Sequence, residues 1–273
     1  MIATGDFSRS GWSIPDFDVD VLHERRTPYV VVIPVLNEGD RLHRQLTRMM
    51  ALSLHHTADI IIADGGSTDG STDPQGLLAL GVRARLTKRG PGALSAQLRC
   101  AYAWALQEGY DGMVTIDGNG KDGVETLPQF LTALDDGYGY VQASRFIRGG
   151  HHENTPWLRA LAIRLIHAPL LSLAAGHWLT DTTQGYRAYS RDYLLDRRVQ
   201  PFRDVFVRYE LLAYLTVRAS QLGYRVREIA TSRVYPRGEA IPTKIRGFSP
   251  LIDLLVILWR TVTRAYHPKS DPR

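Results

Sequence analysis

The sequence predicts an α/β fold in which a mainly parallel sheet carries helices on both faces. Short apolar runs alternate with segments of helical periodicity from about residue 29 onwards, an order typical of parallel strands joined by helices. The runs contain few polar positions, which indicates strands covered on both faces. Glycine-containing or acidic turns directly follow three of the runs, and open α/β sheets bind ligands at that edge.

The elements can be placed in order along the chain. Apolar runs predict strands at residues 29–34, 59–63, 82–86, 112–116 and 140–144. Helical spacing predicts helices from about residue 38, at 93–108 and at 127–134. The 82–86 run alternates in the manner of an outer strand, and Gly109 is placed to cap the helix that precedes it.

Length and composition indicate one domain with short extensions. The 273 residues are 44% hydrophobic and 22% charged, and the chain shows neither internal repeats nor a dividing linker. We predict an irregular extension at 1–27, the α/β domain at 28–235, and a basic loop with an apolar, amphipathic helix at 236–273. A single cysteine and the lack of a signal-peptide pattern at the N-terminus predict a cytoplasmic location.

Charge and two apolar stretches bear on the partners of the protein. A formal net charge of +5 favours anionic partners such as phosphates or acidic lipids, and no nucleic-acid-binding motif is present. Residues 157–179 and 251–259 are apolar but interrupted or flanked by arginines, and neither supplies the about 20 apolar residues of a spanning helix. Each is either a helix in a membrane interface or an ordinary buried helix.

Two of the turns carry side chains suited to a phosphate-bearing ligand. Asp64 precedes two glycines, so its carboxylate could accept hydrogen bonds from a base or ribose, although such residues also make plain turns. Asp117 and Asn119 stand one residue apart after a strand and could share a divalent cation with the phosphates of a nucleotide. A solvated turn is the alternative for this motif.

Taken together, the turns resemble those of the family 2 glycosyltransferases, in particular the branch of dolichol- and polyprenyl-phosphate sugar synthases. The resemblance covers about residues 29–235. The matching stretches are VIPVLNE at 32–38, IADGGSTDGS at 62–71, GPGAL at 90–94, TIDGN at 115–119, SRF at 144–146 and DTTQGYR at 181–187. Their order and spacing make the set specific.

The resemblance implies a GT-A fold with a Rossmann-like sheet and inversion at the anomeric carbon. It implies a donor site for a nucleotide diphosphate sugar formed by Pro34, Leu36, Asn37, Glu38, Asp64, Lys88, Gly92 and Lys121. It also places Mg²⁺ or Mn²⁺ on Asp117 and Asn119. Asn119 replaces a carboxylate and Lys121 replaces a metal-binding glutamine of relatives, so either a metal is held by Asp117, with Asp122, or Lys121 neutralises the diphosphate instead.

On the acceptor side, Arg145 and Arg187 match positively charged positions of the family. A lipid-phosphate acceptor would need no general base, whereas a sugar hydroxyl would need one, and Asp181 and Glu210 are the candidates. The basic C-terminal loop of the branch would bring Arg237 and Lys244 near a phosphate. The polyprenyl-phosphate synthases often carry an arginine and a serine where this chain has Thr180 and Gln184, which weakens the case for a polyprenyl phosphate acceptor specifically.

The sequence therefore predicts an inverting glycosyltransferase acting on a lipid-linked or polyprenyl phosphate acceptor in glycan assembly. We expect it to work at a membrane surface, peripheral on the inner face. Transfer to a soluble sugar and a degenerate domain that only binds nucleotide sugar are the alternatives. A nucleotidyltransferase ranks lower, because the first strand lacks the glycine-rich basic loop of that class.

Overall fold

The structure, a computed structural model, describes residues 11–235 and 248–269. Ten strands are found in this part of the chain: β1 Phe17–Val21, β2 Tyr29–Val35, β3 Asp59–Asp64, β4 Val82–Lys88, β5 Gly112–Thr115, β6 Tyr140–Ser144, β7 His151–Glu153, β8 Arg187–Ser190, β9 Val226–Ala230 and β10 Ser232–Val234. Its α-helices are α1 Asp40–Ala51, α2 Pro74–Ala79, α3 Leu94–Gln107, α4 Leu127–Asp135, α5 Trp157–Ala162, α6 Ala168–Ala175, α7 Arg191–Leu195, α8 Glu210–Gln221 and α9 Phe248–Val262.

Eight strands form one sheet in the order β1-β4-β3-β2-β5-β8-β6-β9. The pairs β2–β3, β2–β5, β3–β4 and β6–β9 are parallel, while β1 and β8 run antiparallel to their neighbours. The predicted mainly parallel sheet is therefore confirmed. A separate parallel pair joins β7 to β10.

The central strands are buried on both faces because their side chains alternate between two cores. Val30 and Val32 of β2 pack with α3 and α8, and Val31 and Ile33 pack with α1 and α4 on the opposite face. Such strands need no polar positions, which explains their continuous apolar runs. This three-layer packing directs the ends of β2, β3 and β5 to one edge.

The prediction of irregular chain across residues 1–27 is wrong for residues 17–21, which form β1. Phe17 and Val19 are buried, while Asp20 on the outer face pairs with Arg85 of β4 at 2.7 Å. Aspartate is depleted in strands, so this short acidic alternation carries a weak signal. β1 also covers β4, which is why the run at 82–86 is not an outer strand.

The two apolar stretches are helices with one buried and one exposed face. Residues 157–175 run through α5, a π-helical turn at Ile163–His167 and α6. Helix α9 packs against α6 and α8, burying Leu171 of α6 and Leu258 of α9 in a small shared core. In the part of the chain described, no helix has the length and apolar character needed to cross a bilayer.

Candidate active site

The carboxyl ends of β2 and β3 are tied together by their turns. The backbone N–H of Asn37 donates to Ser67 Oγ at 3.0 Å, and Asn37 Oδ1 accepts from the backbone N–H of Thr68 at 2.8 Å. Asn37 has φ of 52°, in the left-handed region that asparagine tolerates better than most residues. The two turns thus form one polar surface, as expected for strand ends at one edge.

The other residues predicted beside the nucleotide lie along the same edge. Pro34 is aligned with Ala63 of β3, and Leu36 is 37% exposed just beyond β2. Glu38 pairs with Arg41 of α1 at 3.0 Å. These positions line the surface on which we expect the nucleotide to lie.

Asp64 is buried and holds its own turn together. Its Oδ1 accepts hydrogen bonds from the backbone N–H of Gly66 at 3.1 Å and of Ser67 at 2.8 Å, and from Ser67 Oγ at 2.7 Å. Its Oδ2 accepts from Thr72 Oγ1 at 3.2 Å. In this arrangement Asp64 shapes the turn, and its predicted contact with the base remains a prediction.

The loop after β4 begins at the same edge of the sheet, because β4 runs parallel to β3. Lys88 Nζ donates to the carbonyl of Gly90 at 2.6 Å, so the amine faces its own loop. Gly92 has φ of 100°, and an added Cβ there would lie 2.5 Å from Ala96 Cβ. The loop therefore requires glycine at this position for both conformation and space.

Asp117 lies just beyond β5 at the same edge, and its side chain is 26% exposed. An added Cβ on Gly185 would lie 2.2 Å from Asp117 Oδ1, so glycine at position 185 makes room for the carboxylate. Asn119 Nδ2 donates to Asp117 Oδ2 at 3.4 Å. The turn after β5 and the loop before β8 are thus fitted to each other.

Arg233 of β10 joins two carboxylates of this turn. Its Nη2 lies 3.1 Å from Asp117 Oδ2 and its Nη1 lies 2.5 Å from Asp122 Oδ1. Asp122 Oδ1 also accepts from Gln184 Nε2 at 2.9 Å. Lys121 is buried in the same cluster, 5% exposed. Two anionic and two cationic side chains are therefore packed together.

These neighbours shift the acid–base properties of the cluster. Lost hydration would raise the pKa of Asp117, but the charge and hydrogen bond of Arg233, aided by Lys121, outweigh it and hold that pKa below its usual value. Burial raises the pKa of Asp122 in spite of Arg233. Burial and then the charge of Arg233 lower the pKa of Lys121. Asp117 is consequently the carboxylate most firmly held in its ionised form.

The two acceptor-side residues Arg145 and Asp181 form a buried ion pair. Arg145 Nε donates to Asp181 Oδ2 at 2.7 Å and Nη2 donates to Oδ1 at 3.0 Å, with side chains 2% and 0% exposed. Glu228 accepts from the backbone N–H of Thr180 at 2.8 Å and of Asp181 at 3.2 Å. Both oxygens of Asp181 are engaged by the guanidinium, which leaves this carboxylate poorly placed to act as a base.

Arg187 is not brought to the surface of the site. Its Nε donates to the carbonyl of Gln184 at 2.8 Å, its Nη2 to that of Thr182 at 3.0 Å, and its Nη1 to that of Leu212 at 2.6 Å. The side chain is 2% exposed. In this structure Arg187 fastens the 181–187 loop to α8 from within.

Glu210 begins α8 and is turned back on the preceding loop. Its Oε2 accepts from the backbone N–H of Val207 at 2.9 Å and of Arg208 at 2.5 Å. A carboxylate that satisfies N–H groups at a helix start stabilises that start. Glu210 is therefore held by the loop on one oxygen, and the predicted role as a base remains a prediction.

Sequence analysis did not predict the contacts made by Arg233, Gly185 and Gln97, although the first two lie in stretches that resemble the family. Gln97 Nε2 of α3 donates to the carbonyl of Val35 at 2.9 Å and also to that of Ala63. These two hydrogen bonds link the ends of β2 and β3. Arg233 contacts Asp117 from 116 positions away. No local spacing links such residues, so only the assembled sheet reveals them.

The sequence of the turns at this edge of the sheet matches that of a known protein family. The sequence profile of "Glycosyl transferase family 2" matches residues 30–197, more than half of the chain. The matched span contains the turns after β2, β3 and β5 together with the 181–187 loop. The chain belongs to glycosyl transferase family 2. It is accordingly a glycosyltransferase, and its predicted membership is confirmed.

Two relatives of this family 2 enzyme have names that refer to a polyprenol phosphate. Polyprenol monophosphomannose synthase of Mycolicibacterium smegmatis is 32% identical over 174 residues, which is 60% of this chain and 62% of that relative. Undecaprenyl-phosphate mannosyltransferase of Micrococcus luteus is 30% identical over 205 residues, 73% of this chain and 81% of that relative. The match thus spans less than two thirds of the mycobacterial protein and most of the other.

Solved structures confirm the predicted GT-A type of fold. Glucosyl-3-phosphoglycerate synthase from Mycobacterium tuberculosis in complex with UDP superposes with a TM-score of 0.62 at 17% identity, covering 90% of this chain and 82% of that one. Its complex with Mn²⁺, UDP and phosphoglyceric acid gives a TM-score of 0.60 at 18% identity, covering 90% and 80%. Another structure of that enzyme holds Mg²⁺ with UDP.

Proposed function

We propose that this enzyme moves a sugar from a nucleotide diphosphate sugar to the phosphate of a polyprenyl phosphate, with inversion at the anomeric carbon. The observation that carries the proposal is the engagement of Asp181 by Arg145 and of Glu210 by its own loop. Both oxygens of Asp181 and one oxygen of Glu210 are thereby used in structural contacts, which favours an acceptor that needs no deprotonation. The names of the two relatives support the same acceptor class.

The reaction needs no proton transfer when a phosphate accepts the sugar. An ionised phosphate oxygen attacks the anomeric carbon, and the bond from that carbon to the diphosphate oxygen breaks as the diphosphate leaves with the electron pair. One negative charge passes from the acceptor to the leaving group. Catalysis then depends on positioning and on stabilising the charge that develops on the diphosphate.

The donor in this proposal lies across the ends of β2, β3 and β5, within the domain predicted at residues 28–235. The turns at Asn37 and Asp64 would receive the nucleoside, and the loop at Gly92 would cover it. Lys121 and Arg233 would stand beside the leaving diphosphate. Cations in a partly dehydrated site stabilise developing negative charge far better than cations in water do.

The acceptor phosphate in this proposal lies near Arg145. Two of its guanidinium nitrogens are used by Asp181, while Nη1 is buried and has no hydrogen-bond partner among the described residues. A buried donor without a partner is costly unless a ligand satisfies it. Arg237 and Lys244, also predicted near a phosphate, lie outside the described residues.

An acceptor assay tests this function directly. We expect label from a radioactive GDP- or UDP-sugar to enter the organic phase when a polyprenyl phosphate in detergent is supplied. Replacing Asp117 by Asn should reduce the rate at least about 100-fold, since the carboxylate and the charges it holds are beside the leaving group. Label transferred instead to a soluble sugar would contradict the lipid acceptor, and donor binding without any transfer would support a non-catalytic domain.

We also propose that α5, α6 and α9 rest on an anionic membrane surface, on the inner face as the sequence predicts. Trp157 is 71% exposed, Trp178, just beyond α6, is 67% exposed, and Trp259 of α9 is 67% exposed. Arg164 and Arg260 are exposed on the same helical segments. Tryptophan at the interface and arginine toward lipid phosphates are a combination suited to an acidic leaflet.

Vesicle sedimentation tests the membrane face. Replacing Trp157 and Trp259 by Glu should lower binding to vesicles with acidic lipid about tenfold or more, because each change removes apolar area from the interface and adds repulsion. Leu78→Glu, on α2 and 48% exposed, is the matched control and should bind as the wild type does. Unchanged vesicle binding by the tryptophan variant would contradict the membrane proposal. Light scattering that shows a dimer for the wild type but not for the variant would assign the face to a second copy of the chain.

A further inference from the structure

The turn after β5 and Arg233 of β10 together form a cluster of four ionisable side chains. Arg233 bridges the carboxylates of Asp117 and Asp122 at 3.1 Å and 2.5 Å, and its side chain is 6% exposed. Lys121 Nζ lies 4.7 Å from the ring centroid of Tyr235 in the same cluster. With both acids ionised and both bases protonated, the formal charges of the cluster cancel.

A divalent cation does not fit this arrangement of charges. Mg²⁺ and Mn²⁺ bind oxygen ligands, and Mg²⁺ is usually held by one or two carboxylates together with substrate phosphates. A cation next to those carboxylates repels the ion. Here Asp117 Oδ2 already accepts from Arg233 and from Asn119, and Asp122 Oδ1 accepts from Arg233 and Gln184. Among the residues described, no group of three or more acidic, histidine or cysteine side chains is placed to hold a metal.

The backbone pairing of β10 holds Arg233 at the cluster as a resident cation. It lies in β10, which pairs with β7, and residue 233 forms an isolated bridge with residue 122. Its guanidinium presents a fork to two carboxylates at once, and the planar arginine fork suits this better than an ammonium would. An ion that entered between Asp117 and Asp122 would have to displace this fork.

We infer that Arg233 takes the charge-neutralising place of a divalent cation between Asp117 and Asp122, so that metal and guanidinium compete for the same carboxylates. The nucleotide-free protein then binds Mn²⁺ poorly, and removal of the guanidinium creates a metal site. The inference rests on the proposed function only where it takes Arg233 to lie beside the diphosphate of the donor. The competition itself concerns the chain alone.

Direct Mn²⁺ binding to the full chain without nucleotide tests the inference. Electron paramagnetic resonance of free Mn²⁺ should show no saturable binding to the wild type below about 1 mM, whereas Arg233→Met should bind at least about tenfold more tightly. Adding Asp117→Asn to Arg233→Met should remove that gain. Saturable wild-type binding that Asn119→Ala or Asp117→Asn abolishes would overturn the inference.

A stability measurement covers the case in which Arg233→Met folds poorly. Loss of the guanidinium from the buried Asp122 and the 26% exposed Asp117 should lower its melting temperature. Mn²⁺ should raise the melting temperature again because a ligand that binds only the folded state stabilises it. Arg83→Met is the matched control, since Arg83 is 3% exposed and pairs with Glu108 at 2.5 Å. The control should lose stability without recovery in Mn²⁺, and equal recovery in both variants would contradict the inference.

These outcomes separate the inference from the proposed function. Lipid-phosphate transfer that is abolished by chelator, together with tight Mn²⁺ binding by the wild type, would overturn the inference and leave the transferase intact. The expected Mn²⁺ binding, if no sugar transfer is found, would support the inference and contradict the proposed function. Persistence of both transfer and nucleotide-induced stabilisation in excess chelator is the result expected from a resident guanidinium.

Discussion

Replacing Gly185 by Ala is expected to reduce sugar transfer at least about 100-fold while the protein remains folded. The new Cβ would lie 2.2 Å from Asp117 Oδ1, and Arg233 and Asn119 hold the other oxygen of that carboxylate. Asp117 can therefore yield only by breaking the contacts that position it. A displacement of about 1 Å in an active site costs about 100-fold in rate, so kcat/KM should fall by at least about that factor.

Gly76→Ala is the matched control for this substitution. Gly76 lies in α2, and an added Cβ there meets only Asp73 Oδ2 at 3.9 Å, an ordinary contact. Alanine is favoured over glycine inside a helix by about 0.5–1 kcal/mol. The control should keep full activity with equal or higher stability. A Gly185→Ala enzyme with a rate within twofold of the wild type would show that Asp117 does not act where we place it.

Asp181→Asn should lower the free energy of unfolding by about 3–5 kcal/mol, because it leaves the buried guanidinium of Arg145 without a counter-charge. The two side chains are 0% and 2% exposed, so water cannot substitute for the lost carboxylate. Urea unfolding of the purified variant measures the loss. Arg48→Gln breaks the exposed pair with Glu125 and serves as control, and its cost should stay within about 1 kcal/mol.

The same variant separates the structural role of Asp181 from a catalytic one. If Asp181 were the general base for a sugar hydroxyl, Asp181→Asn would lose activity with little change in stability. Such a result would favour transfer to a soluble sugar over transfer to a lipid phosphate. Loss of stability with residual transfer, measured well below the unfolding transition, is the outcome we expect.

Much of the fold could be predicted because its strands and helices are recorded in short-range patterns. The strand predicted at 140–144 has the same bounds in the structure, and the bounds predicted for β2, β3 and β5 agree within about one residue. Strand β1 could not be predicted because its alternation of phenylalanine, valine and aspartate is brief and acidic. Its partner β4 lies more than 60 positions away, and the covering of β4 could not be inferred from either segment alone.

The α/β class, the family and the edge of the sheet at which the turns gather can all be inferred from the amino-acid sequence. Apolar runs of strand length specify buried parallel strands, and the chain direction brings the turns to one edge. Only the tertiary structure decided which side chains meet there. Arg233 reaches Asp117 across 116 positions and Arg145 reaches Asp181 across 36. The partner of a buried charge depends on the order of strands in the sheet, and no local pattern in the chain records that order.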